Sequence, residues 1–88
     1  MDLALADLDR AIELQPDLIA ARFNRGAKRY RKQDFQGALE DLDHCIAVDP
    51  HLPGPYFNRA VVHNGLGDRE AAMADLSPLQ ALYATEQS

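Results

Sequence analysis

The sequence predicts an all-helical fold built from stacked helix–turn–helix units. Three observations point there. Residues recur at a fixed interval of 34: Ala4, Ala38 and Ala72; Asp7, Asp41 and Asp75; Leu8, Leu42 and Leu76; Pro16 and Pro50; and Phe23-Asn24-Arg25 with Phe57-Asn58-Arg59. A period of this length marks supersecondary units that stack on one another. Within each period the apolar residues fall at helical spacing, and no segment alternates apolar and polar residues as a strand would.

In the first helix, Asp2 to Leu14, Leu5, Leu8, Ala11 and Ile12 share one stripe, with Asp7, Asp9 and Glu13 among the polar positions. Gln15-Pro16 ends it, because proline disfavours a helical residue before it. Asp17 is the expected N-cap of a second helix, Leu18 to Lys32. A short turn at Gln33-Asp34 follows, with Asp34 expected to cap a third helix, Phe35 to Val48, which Asp49-Pro50 stops. Pro53 and Pro55 open a fourth, since a first turn has no helical partner for its N–H groups. It runs to Leu66, and Gly67-Asp68 makes the next turn. The fifth starts near Arg69. Pro78 is expected to kink or split it, leaving a last short segment through Ala84.

Eighty-eight residues make one domain. Apolar residues at 47% and charged residues at 26% fit a folded soluble chain. A net charge of −5 argues against general nucleic-acid or membrane-surface binding, which needs a basic footprint. One cysteine cannot form an internal disulfide, which suits a reducing compartment. No apolar run reaches the ~20 residues that span a bilayer. The sequence has no secretory leader pattern, so a cytoplasmic location is expected.

The residues above resemble the tetratricopeptide repeat (TPR) family, whose unit is a 34-residue helix–turn–helix. The central copy supplies Gly26, Ala38, Leu42, Cys45 and Pro50 at the family's small, bulky and proline positions; the third supplies Ala60, Ala72 and Leu76. The first is present as its second helix alone, with Ala4, Leu8, Ala11 and Pro16. The resemblance implies antiparallel helix-turn-helix repeats stacked as a short right-handed α-solenoid. Its parts would be a partial repeat over 1–18, a complete one over 19–52 and a divergent last one over 53–88. Gly26 against Ala38, and Ala60 against Ala72, would let the helices of a unit approach closely, with Tyr30, Phe35 and Leu42 filling the space around them.

Two departures from the family pattern stand out. Positions that are often large and apolar hold Arg22, Arg25 and Arg29; with Lys28, Arg31 and Lys32 this helix carries six of the nine basic residues. Acidic neighbours on the flanking helices suggest an internal charge sandwich; a patch for phosphate or an acidic peptide is the alternative. The first helix also lacks the partner that Ala4 normally meets. Leu5, Leu8 and Ile12 would then form an uncovered apolar strip, to be covered by repeats preceding Met1 or by a second copy in a homodimer.

No arrangement of residues supports catalysis, a metal or a cofactor. His44 and Cys45 are adjacent and point apart on a helix, and Cys45 falls on a packed repeat position. Gly65-Leu66-Gly67 is too short for a phosphate loop and follows a helix. The carboxylates lie on solvated faces and caps. Surface shape remains. The resemblance implies a concave groove, lined by the first helices of successive units, for a peptide or partner helix. Mapped onto this chain, its lining is Phe23, Asn24, Ala27, Tyr30 and Arg31, then Phe57, Asn58, Val61 and Asn64. The two phenylalanines could instead belong to the core, and the two asparagines could bond one another. The lysines with which a subclass of the family grips chaperone tails are absent, so that ligand is not expected. The expected function is a non-catalytic protein–protein interaction scaffold; the alternative is self-association through the first helix.

Overall fold

The computed structural model describes the backbone of residues 5–87 and the side chains of residues 5–79. Five helices follow one another: α1 (Leu5–Leu14), α2 (Ile19–Arg31), α3 (Phe35–Val48), α4 (Pro53–Gly65) and α5 (Arg69–Gln87), and no strand occurs among the described residues. Each helix packs on the next in sequence. The pairs α2/α3 and α4/α5 are antiparallel units. Early residues of α2 meet late residues of α3, as where the Cys45 thiol donates to the Ile19 carbonyl at 3.6 Å, and late residues meet early ones, as where Arg29 donates to the Gly37 carbonyl at 3.2 Å. This is an all-α repeat solenoid.

The turns inside the two units are built alike. Gln33 and Gly67, one period apart, both take positive φ, 66° and 82°, the left-handed conformation that closes a helix. The following aspartates cap the next helix: Asp34 accepts from the Gly37 N–H at 3.0 Å, and Asp68 from the Ala71 N–H at 3.1 Å. Asp17 departs from its expected role. The residue that enters α2 is Leu18, with no side-chain cap, and the Asp17 carboxylate instead meets His44 Nε2 on α3 at 3.0 Å. Pro78 also departs. It sits inside α5 without splitting it. A proline forfeits one helical hydrogen bond, that of the carbonyl four residues earlier, and here that residue, Ala74, is exposed and open to water.

The core is small residues flanked by large ones. A β-carbon at Gly26 would sit 3.4 Å from the Asp41 β-carbon and 3.5 Å from the Ala38 carbonyl, which is how closely α2 and α3 approach. Ala38, Leu42 and Val62 are fully enclosed, with Phe23, Tyr30, Phe35 and Leu39 packed around them. Tyr30 and Phe35 meet at 5.6 Å between ring centroids, and both rings lie against Gly65. A second cluster joins α1 to α2 through Leu8, Ile12 and Ala21.

That cluster corrects the expectation of an open apolar strip on α1. Leu8 and Ile12 are buried against α2, and Leu5 is half-buried, so none of the three forms an exposed face. The physical reason is that α2 covers this stripe from the side of the following unit, which suffices for the bulky positions. Ala4 lies outside the described residues.

Candidate functional site

Three arginines of α2 are paired internally. Asp41 of α3 is wholly buried, and Arg25 donates to it twice, Nε to Oδ2 at 2.9 Å and Nη2 to Oδ1 at 2.6 Å. Arg29 approaches the same carboxylate at 3.3 Å and Arg22 at 3.7 Å. Arg25 also reaches back to Asp9 of α1 at 2.7 Å. Arg59, one period later, repeats the pattern with Asp75 of α5 at 2.8 Å and Asp43 of α3 at 2.8 Å. Each of these four bonds joins residues sixteen apart in sequence. Each arginine thus ties the second helix of its own unit to the second helix of the unit before, and the ladder fixes the stacking register.

The charge states follow from these contacts. Hydrogen bonding to Asp41, and then to Asp9, outweighs burial and holds the Arg25 guanidinium above its usual value. Burial lowers Arg59, but its bonds to Asp43 and Asp75 more than offset that, and its value is also raised. His63 occupies the position equivalent to Arg29 and adds an Nδ1 contact to Asp75 at 2.6 Å, while Arg59 lies over the Tyr56 ring at 5.6 Å. Burial, followed by the nearby Asp41 charge, raises the Cys45 thiol, which is enclosed and unsuited to act as a nucleophile. Among the described residues no group of three or more His, Cys, Asp or Glu stands close enough to hold a metal.

With Arg22, Arg25 and Arg29 committed to Asp41, the other face of α2 carries the expected groove residues of this helix. It lies beside α4, and two clefts open between these helices. One, of about 210 Å³, is lined by Ala27, Tyr30, Arg31, Asn58 and Val61 with Gly26, Leu42 and Val62 behind them. The other, of about 340 Å³, is lined by Phe23 and Asn24 with Ile19, Ala20, Leu52, Pro53, Gly54 and Pro55. Seven of the nine expected groove residues therefore line the two clefts. Phe57 and Asn64 are exposed and line neither. Phe23 rests against Gly54, 3.4 Å from where its β-carbon would be, so α4 covers that ring. No described helix stands beside α4 in the same way, and Phe57 stays 57% exposed.

The polar groups of the groove are uncommitted. The side chains of Asn24, Asn58 and Arg31 make no hydrogen bond or ion pair among the described residues, and the two asparagines do not bond one another. Of the second cleft the sequence points to Phe23 and Asn24, but not to the lining from Leu52 to Pro55. Its one signal was Pro53-Gly54-Pro55, where glycine leaves room above an aromatic ring.

The tetratricopeptide repeat family model matches residues 1–53, more than half of the chain. No curated protein matches it. Among the described residues no helix is long and apolar enough to cross a membrane.

Proposed function

The chain belongs to the tetratricopeptide repeat family, whose members generally bind protein partners without catalysis, and we propose that it holds an extended peptide in the groove between α2 and α4. The observation that carries this reading is the pair of unbonded amides, Asn24 and Asn58, one period apart beside apolar clefts. A carboxamide offers both a donor and an acceptor, which matches the alternating groups of a peptide backbone. Mid-helix asparagine costs helical propensity, and a ligand bond offsets that cost. The clefts on either side accept apolar side chains, and Arg31 supplies a cation at one end. The fourteen acidic residues elsewhere discourage anionic surfaces from adsorbing nonspecifically.

The test is selection of binders from a random peptide display library, followed by affinity measurements with Asn24→Ala plus Asn58→Ala. Two lost backbone bonds at ~1 kcal/mol each weaken a selected peptide about thirtyfold while leaving helicity intact. Unchanged affinity for every selected peptide would sink the groove assignment. A homodimer through α1 has lost its expected anchors, because Leu8 and Ile12 already serve the core.

A further inference from the structure

The two clefts between α2 and α4 repeat along one stripe of α2. The larger is lined on that helix by Ile19, Ala20, Phe23 and Asn24, the smaller by Gly26, Ala27, Tyr30 and Arg31. Each residue of the second set stands seven after its counterpart in the first, so both clefts open on the same side of α2, two turns apart. At a rise of about 1.5 Å per residue, they lie roughly 10 Å apart along the helix. The opposite wall keeps step. The start of α4, Pro53 to Pro55, borders the larger cleft, and Asn58, Val61 and Val62 border the smaller, so the two helices run in the same direction.

We infer, resting on the reading of this groove as a peptide site, that its ligand is a polyproline II segment with apolar side chains at positions i and i+3 and a carboxylate beside the one in the Arg31 cleft. The spacing selects the conformation. In a polyproline II chain three residues make a turn and each rises about 3.1 Å, so i and i+3 point the same way roughly 9 Å apart. In a β-strand, same-face side chains lie about 7 Å apart at i+2 and about 13 Å at i+4, short of the second cleft or past it. A helix reaches about 10.5 Å at i+7, but its backbone groups are bonded internally. It would leave Asn24 and Asn58, one in the wall of each cleft, without backbone partners. A polyproline II backbone has no internal hydrogen bonds, and its carbonyls accept from both amides. Proline at the two intervening positions presets that conformation and lowers the ordering cost of binding. Charge supplies the remaining element. Arg31 is the last residue of α2, at the end of its cleft remote from the other, and makes no ion pair among the described residues. No carboxylate lines either cleft to neutralise it, so an acidic ligand residue pairs there with its guanidinium.

The test is a peptide display library in which two leucines are separated by one to six random residues and flanked by random ones, selected on the full chain. A separation of two residues should be enriched, with proline between the leucines and an acidic residue beside one of them. Affinities of the enriched peptide are then measured by fluorescence anisotropy. Glycine at both intervening positions should weaken it about threefold or more, because a freer chain is ordered on binding. Arg31→Gln should weaken it about threefold or more, and should leave unchanged a version whose acidic residue is replaced by its amide. Enrichment of one intervening residue, of six, or of no particular number, in peptides that Asn24→Ala plus Asn58→Ala weakens, would overturn the inference while leaving the groove as the site. An Arg31→Gln effect that does not depend on the acidic residue would overturn the charge assignment. Peptides indifferent to the asparagine pair, or no binder at all, would sink the groove reading itself.

Discussion

Replacing Asp41 by asparagine keeps the side-chain volume and removes the charge that three arginines share. Asp41 is completely buried, and Arg25 meets it with bonds of 2.9 and 2.6 Å. Breaking a buried ion pair by removing one partner costs about 3–5 kcal/mol, because the remaining charge is left uncompensated. Here two features pull toward the lower end. The arginine side chains retain 14–24% of their exposure, and Arg25 keeps its bond to Asp9. The expected loss is therefore about 3 kcal/mol. A chain of this length has a total stability of roughly 5–13 kcal/mol, so the variant should still fold with a much lower urea midpoint. At a slope of about 1–1.5 kcal/mol per molar urea the shift is about 2–3 M. Asp9→Asn is the internal control, since Asp9 bonds the same arginine but is half exposed; its cost should stay under about 1 kcal/mol. Urea titrations followed by circular dichroism give both numbers. If Asp41→Asn cost no more than Asp9→Asn, the ladder would be a surface decoration and the account of how the units are held in register would fail.

Three further outcomes follow from the same packing. Gln33 holds a φ of 66° that glycine adopts freely, as Gly67 does at the equivalent turn, so Gln33→Gly should stabilise the chain by about 0.5–1 kcal/mol in the same titration. Leu42→Ala should cost about 2–5 kcal/mol and Leu76→Ala, at the matching but 40% exposed position, clearly less, which thermal and urea unfolding would both resolve. For Cys45 the folded thiol has a raised value, so the native state holds its proton more tightly than the unfolded chain does. No stability depends on it below the unfolded value of about 8.5; above that the unfolded thiol ionises first and stability falls. Cys45→Ala should flatten that alkaline decline in urea midpoints measured from neutral pH upward, and the native thiol should resist alkylation until urea exposes it.

Much of this fold is legible in the sequence because each unit repeats the same local solution. The helix limits follow from Pro16, Pro50, the Asp34 and Asp68 caps and the 34-residue interval, and the close approach of α2 and α3 follows from glycine at 26. Three features were not legible, each for a physical reason. Asp17 has the chemistry of a cap, but a carboxylate one residue too early turns instead to His44, a contact 27 residues away. Pro78 breaks helices in general, yet the residue whose carbonyl loses its helical partner, Ala74, is exposed, so the helix continues through it. Leu8 and Ile12 read as an uncovered strip because one neighbouring helix was missing, whereas the other, α2, covers bulky side chains from its own side. The candidate groove was read from family positions, and α2 and α4 bring seven of its nine residues onto two clefts. The two that fall outside, Phe57 and Asn64, sit on α4, beside which no described helix stands as α4 does beside α2. Local spacing identifies a face, and only the assembled neighbours decide what covers it.

The central claim is that the face of α2 and α4 carrying Asn24 and Asn58 receives a peptide. The most direct test is a two-dimensional amide NMR titration of the whole chain with a peptide selected from a random library, side-chain carboxamide signals included. The account predicts shifts confined to α2 and α4, with Ala27, Asn58 and Val61 foremost and both carboxamides moving, while α1 and the outer face of α5 stay still. Shifts centred on α1 or α5, with the asparagine carboxamides unmoved, would contradict it.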